Sequence, residues 1–301
     1  YTAVDIGAND GTLLGNYPKN IFTVGVEPIS KFAKECRTHA NVVINDFFHY
    51  GSYLQNVGNK KAHIITVISC FYDMEEPNQF IADVKQVLDE HGILIIQQNY
   101  LVTMLQNNAF DNIVHEHLEY YSLLSLERLL GRHNLEVFDV ELSDVNGGSF
   151  RTYIAHKGTR KIGRSVFRVR ENEKRLRLHK QEIYNKFSER VRKNKGMLKL
   201  RIRKFIKAGN TIYVYGASTR GNTLLQYYGL DKRTIGSAVE RNSEKWGKTI
   251  ASVGIPIISE EQSRKEKPDY LLILPWFFRR EFLKREKEYL RSGGHFIFPL
   301  P

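Results

Sequence analysis

Twice in this chain an apolar strand runs into a glycine-bearing loop and then into a helix. That rhythm confines it to open α/β architecture with largely parallel sheets. The first instance is TAVDIGANDGTLL at 2–14; the second is TIYVYGASTRGNTLLQYYG at 211–229. After the first come strands ending at Glu27 (TVGVE) and Asp46 (VVIND), then HIITVIS and GILIIQQNY, with helices expected over 29–40 and 77–90. After the second come IGSAVERN, IPIIS and PDYLLILPW, a helix over 279–291, and a last strand HFIFPLP. Between the two series, FDVELSDVNGGSFRTYIAH alternates around Asn146-Gly147-Gly148 and reads as a β-hairpin.

The first loop carries ligand chemistry. Asp5 closes a strand where open α/β sheets place their ligands, and Gly7 and Gly11 let the backbone approach one closely. Glu27, about twenty residues on, suits a ribose diol because a carboxylate accepts from both hydroxyls. Asp46 is the candidate for an adenine amino group. Asn9 in the loop and Ser69 after the fourth strand complete the expected cofactor set. The spacing is DxGxxxG and not GxGxxG, which favours an adenosine-type cofactor over NAD. It resembles motif I of the class I S-adenosylmethionine-dependent methyltransferases, which implies S-adenosyl-L-methionine.

A second cluster, DNIVHEHLEYYS at 111–122, sets His115, Glu116 and His117 side by side, with Tyr120 and Tyr121 just after. Such groups titrate near neutral pH if buried together. Were the segment extended, both histidines would share one face and Glu116 the other. An exposed polar loop or a metal pair are the plainer readings. Zinc needs three or four ligands, and no other ligand cluster is visible, so no metal is expected.

The length of 301 residues suits two domains, and the 42% apolar content suffices for real cores. The longest apolar runs are too short for a membrane span, and no signal peptide is visible. The chain opens directly on a core strand, which suggests that an upstream segment is missing. Cys36 and Cys70 provide neither a disulfide framework nor a CxxC knuckle, as in a reduced, cytoplasmic protein. The formal charge of +12 is concentrated: residues 160–207 carry a net +15 and the rest of the chain −3. In that segment Val169, Leu176, Ile183, Phe187, Val191, Leu198, Ile202 and Phe205 recur at helical intervals. This reads as one long helix or a helix pair with a solvated basic face, so nucleic acid is not expected as a partner. The domain reading is 1–158, a basic helical connector at 159–208, and a second, smaller Rossmann-like domain at 209–301.

Taken together, VDIGANDGTLL, DNIVHEHLEYYS, NGGSFRTYIAH, VYGASTRGNTLLQYYG and LLILPWFFRREF resemble the C-methyltransferases that act on nucleotide-linked 4-keto deoxysugars. The resemblance spans essentially the whole chain. It implies a class I methyltransferase domain followed by a Rossmann-like C-terminal domain. It also implies a mechanism in which a base removes the proton beside a ketone and the enolate takes the methyl group. On that footing His117 is the base, Glu116 its orienting partner, and His115, Tyr72 and Tyr120 are donors to the oxyanion. Asn99, Tyr121, Asn146 and Arg220 are expected to contact substrate, with Arg220 and its loop gripping the diphosphate. An ion pair within the protein is the alternative for Arg220. Three features depart from the family: no paired-cysteine zinc domain is present, Val114 stands where a tyrosine is usual, and CFYDMEEP lacks a common histidine. Methyl transfer to oxygen or nitrogen is the first alternative. An RNA methyltransferase, a nucleotide-sugar oxidoreductase and a non-catalytic binding protein follow. Oligomeric state is left open.

Overall fold

A computed structural model of the chain describes residues 1–300, and these form two compact units. The first comprises Tyr1–Val102 and Glu116–Leu178; the second comprises Thr103–His115 and everything from His179 onward.

In the first unit, strands β1 (Thr2–Ile6), β2 (Phe22–Val26), β3 (Val42–Ile44), β4 (Ala62–Ile68), β5 (Leu88–Asn99), β6 (Leu135–Ser143) and β7 (Ser149–His156) make a seven-stranded sheet of order β3-β2-β1-β4-β5-β7-β6. The first five strands run parallel, and β7 is antiparallel to both β5 and β6. All five residues of β1 are buried, as a strand covered on both faces requires. The predicted hairpin is β6–β7, turning at Val145–Gly147 with Asn146 at φ 56°. This is an open, Rossmann-like α/β sheet with an antiparallel hairpin at one edge.

The second unit holds β8 (Ile212–Tyr215), β9 (Ala238–Val239), β10 (Thr249–Ile250), β11 (Ile255–Ile258), β12 (Tyr270–Ile273) and β13 (His295–Ile297), ordered β10-β11-β9-β8-β12-β13. All neighbours are parallel except β10 with β11. Pro301, the last residue of the predicted final strand, lies outside the described residues.

The basic stretch is two helices, and it is not a unit of its own. Arg164–Leu176 ends at Arg177, which is left-handed at φ 53°, and Gln181–Lys207 follows. The first helix sinks Val166 and Val169 into the core of the first unit. Its buried Glu173 accepts from the Leu123 and Leu124 amides at 2.6 and 2.9 Å and from the Tyr100 hydroxyl at 2.8 Å. Those two amides open the helix Leu123–Gly131, so a carboxylate there also meets the positive end of the helix dipole. The second helix buries Val191, Leu198 and Ile202. The units therefore divide at Leu178, within the predicted connector and not at its ends.

Two predicted helices also differ. The helix at 77–90 ends at Val87, because Leu88 already pairs with Ala62 at the start of β5. The helix at 279–291 is broken at buried Glu286 into Arg279–Arg285 and Lys287–Arg291.

Candidate active site

The glycine loop after β1 is a cradle tied to the end of β2. The Gly7 and Ala8 amides donate to the Val26 carbonyl at 2.9 and 3.1 Å. Glu27 then accepts from the Asn9 amide through Oε2 and from the Ile29 amide through Oε1, both at 2.9 Å. Each of these buried oxygens retains a lone pair, so the carboxylate fits a diol while it fixes the loop. Gly7 has φ 75°, and a Cβ there would lie 2.9 Å from the Cys70 Sγ. Asn9 (φ 51°) and Ser69 (φ 58°) are left-handed without being glycine, a strain of roughly 1 kcal/mol each that collects at ligand sites. Ser69 is held by its amide donating to the Gln97 carbonyl at 2.8 Å. Asp46 stands just beyond the neighbouring β3, exposed, with its carboxylate accepting the Phe47 amide at 2.8 Å and lying 3.6 Å from His49 Nε2. The Asp5, Gly7, Asn9, Gly11, Glu27, Asp46 and Ser69 set thus lies along the carboxyl ends of β1 to β4.

Asp5 is buried and accepts from the Thr66 hydroxyl. Loss of hydration pushes its pKa from 3.8 up to about 6; the Thr66 bond opposes this and repulsion from Glu27 adds to it. A folded-state pKa above the unfolded one means a contribution that is full below pH 3.8 and lost as pH rises through about 6. Asp5→Asn removes that dependence. The variant is expected to gain on wild type between pH 4 and 7, reaching about 3 kcal/mol, in denaturant titrations at each pH. Parallel pH profiles for the two proteins would contradict the assignment.

The second cluster is not extended. Residues 115–116 form a turn, so the alternation of His115 and His117 across Glu116 is not realised. His115 is exposed and belongs to the second unit, whereas exposed Glu116 and half-buried His117 belong to the first. What the fold brings together is His117 and Tyr72, with ring centroids 4.4 Å apart. The Leu118 and Glu119 amides both donate to the Tyr72 carbonyl at 3.0 Å and pin the segment to the turn after β4. Tyr120 is half-buried, and burial raises its pKa. Tyr121 packs inward against Phe71, ring centroids 5.1 Å apart, which makes it a core side chain. Asn99 ends β5 opposite Ser149, and Asn146 sits in the β6–β7 turn, so both lie at the same end of the sheet.

Several residues escaped the sequence reading. Asp73 follows Tyr72; the residue as a whole is exposed, yet local loss of hydration at its carboxyl and repulsion from Glu116 push it up to about 6. The acid in CFYDMEEP was its only signal. Ile29 and Phe47 are 55% and 73% exposed just beyond the two acidic strand ends, apolar surface beside the cofactor loop. Gln98 is buried with both side-chain amide atoms unpartnered among the described residues, a cost of about 1–3 kcal/mol that a fold rarely bears idly.

In the second unit the loop after β8 repeats the first handshake: the Ala217 amide donates to Glu240, at the end of β9, at 3.0 Å. Here the carboxylate is fully spent, since the Arg241 and Asn242 amides take Oε1 and Lys245 lies 3.7 Å from Oε2. Burial pushes Glu240 upward, but the backbone donors outweigh it and its pKa falls. Arg220 does not face an open phosphate cradle. Its Nε and Nη2 reach the Oδ2 of buried Asp111 at 2.9 and 2.7 Å, and Trp276 Nε1 joins them at 3.1 Å. The guanidinium also lies over Phe277, 4.5 Å from its ring centre.

Among the described residues no three of His, Cys, Asp and Glu converge as a metal site would need, and no helix is long and apolar enough to cross a membrane. Burial pushes the Cys36 and Cys70 thiols up to about 11 and about 12, so neither is an activated thiolate.

Comparison with known proteins agrees with this geometry. Residues 144–301 match the family described as "C-methyltransferase C-terminal domain", and residues 2–140 match "Methyltransferase domain". The chain belongs to this C-methyltransferase family. It is similar to C-methyltransferase NovU of Streptomyces niveus, 33% identical over 241 residues, 80% of this chain and 57% of that protein. The chain thus spans little more than half the length of this curated relative. A solved S-adenosylmethionine-dependent methyltransferase from Clostridium acetobutylicum aligns with 52% of this chain and 84% of its own, at 13% identity and TM-score 0.41. The plantazolicin methyltransferase BpumL, solved with SAH, aligns with 52% of this chain and 76% of its own, at 12% identity and TM-score 0.40.

Proposed function

We propose that this chain, as a member of that family, moves a methyl group from S-adenosyl-L-methionine to a carbon atom of a nucleotide-linked 4-keto deoxysugar. The observation that carries the reading is the placement of two elements at the carboxyl ends of one parallel sheet: the Glu27-braced loop, and the His117–Tyr72 pair. The cofactor would supply a methyl group already activated as a sulfonium. The protein's work is then to position the acceptor and manage its proton. His117 takes the proton from the carbon beside the ketone. Tyr72 or Tyr120 donates to the developing oxyanion. Glu116 orients His117, and Asp73 offers a second group, its carboxyl pushed up to about 6. Asn99 and Asn146 are the proposed substrate contacts at the end of the sheet.

Product analysis decides the reading. The chain is incubated with S-adenosyl-L-methionine and a panel of nucleotide-linked 4-keto sugars, and the product is examined for a new carbon-bound methyl. Deuterium uptake at the adjacent carbon without cofactor is expected as well. No methylated product across the panel sinks the proposal. Val114, in the place of the family's tyrosine, favours one second reading: transfer to oxygen or nitrogen, which gives a heteroatom-bound methyl without that exchange.

Glu27→Gln is expected to weaken S-adenosyl-L-methionine binding by about 1–3 kcal/mol, because an amide cannot accept on both sides as the carboxylate does. Calorimetry on the folded protein measures this. Absence of binding by the wild type removes the cofactor from the proposal altogether.

A further inference from the structure

The second unit contains a cleft of about 770 Å³ that shares no lining residue with the Gly216–Asn222 loop. One wall is a single face of the helix Gln181–Lys207, where Arg190, Lys193, Met197 and Arg201 follow each other at three- and four-residue steps. The opposite wall is the helix start at Arg279 together with Leu283, and the floor is Phe296 and Phe298, in and just beyond the edge strand β13.

Four cations line this cleft, and among the described residues no carboxylate side chain does. The contacts of the three arginines hold them in place without neutralising them. Arg190 donates to the Asn108 side-chain oxygen at 2.8 Å and to the Leu105 carbonyl at 2.6 Å. Arg279 lies 4.7 Å from the centre of the Phe298 ring, and Arg201 lies 5.5 Å from that of Phe205. Among the described residues none of the four has an ion pair, in a unit where Arg220, Arg233, Lys245, Lys265 and Arg285 are all paired. Like charges gathered in a concave site focus a positive potential and repel one another until an anion arrives. Met197 and Leu283 are 56% and 41% exposed beside them, so the cleft offers apolar surface as well as charge. Its volume is in the range of sites for whole small molecules and far exceeds what an inorganic anion fills.

We propose that this cleft binds an organic phosphate with two or more phosphate groups and a flat apolar part, of the nucleoside diphosphate class. Arg190, Lys193, Arg201 and Arg279 take the phosphates, and Met197, Leu283 and Phe296 take the remainder. The proposal does not rest on methyl transfer. The same chemistry is carried by the diphosphate of a nucleotide-linked substrate and by a separate nucleotide effector.

The test is calorimetry on the full chain with a nucleoside diphosphate, pyrophosphate and S-adenosylhomocysteine. It compares wild type with Lys193→Glu/Arg201→Glu, both exposed positions on a helix surface. The wild type is expected to bind the nucleoside diphosphate more tightly than pyrophosphate, with affinity falling as salt rises. The double variant is expected to lose at least about tenfold of it, each lost phosphate contact also flattening the salt dependence. S-adenosylhomocysteine affinity and melting temperature should not change, which separates this site from the cofactor cradle. If a nucleotide-linked sugar is methylated, a raised KM in the variant assigns the cleft to the substrate's diphosphate. An unchanged KM with lost nucleotide binding assigns it to a separate ligand. Equal nucleotide affinity in wild type and variant overturns the proposal, as does no binding by the wild type. Binding of single-stranded RNA that the variant loses, without competition from nucleoside diphosphate, overturns it in favour of an RNA surface.

Discussion

His117→Asn is expected to lower methyl transfer by about 10²–10⁴-fold, the range for loss of a positioned general base, while S-adenosyl-L-methionine affinity stays near the wild-type value. The expectation follows from how the residue is held. Its ring packs against Tyr72, and the two amides that follow it hydrogen-bond to the Tyr72 carbonyl, so the imidazole sits at a fixed place beside the end of β4. Asparagine fits the space but cannot exchange a proton near neutral pH. Single-turnover rates and calorimetry separate the two effects. A variant with more than half of wild-type turnover means the base is another group, and Asp73 becomes the first choice. Glu116→Gln gives a companion measurement: with that charge gone, the Asp73 carboxyl should titrate below its present value of about 6, read by NMR.

Arg220→Ala carries the other large expected effect, and it is on stability. Asp111 is 0% exposed, and its Oδ2 receives Arg220 and Trp276, while its Oδ1 has no partner among the described residues. Removing the guanidinium strands a buried carboxylate, which costs about 3–5 kcal/mol. The double variant Arg220→Ala/Asp111→Asn removes the stranded charge and should recover most of that loss. Urea unfolding followed by circular dichroism reads both. An Arg220→Ala protein with an unchanged midpoint and a raised substrate KM would instead return Arg220 to the diphosphate.

Much of this architecture is local information. The strand–glycine–helix rhythm, the acidic strand ends at Glu27 and Asp46, and the Asn146-Gly147-Gly148 turn are each written within a dozen residues. Periodicity and left-handed backbone demands act at that range. For the same reason the sequence alone determined the two α/β units, the parallel sheets and the loop that would face an adenosine-type cofactor. It could not locate the division at Leu178, because a helical stripe shows that a face is buried and not against which core. Glu173 settles that point only by reaching Tyr100 and the amides of Leu123 and Leu124. Nor could it tell that Arg220 is committed to Asp111, 109 positions away, or that His117 packs its ring at a tilt against Tyr72, 45 positions earlier. Charge and hydrogen-bonding capacity are properties of a residue, but their partners are chosen by tertiary packing. Hydration is chosen the same way, and it is loss of hydration, with repulsion from Glu27 and Glu116 added, that lifts Asp5 and Asp73 to about 6.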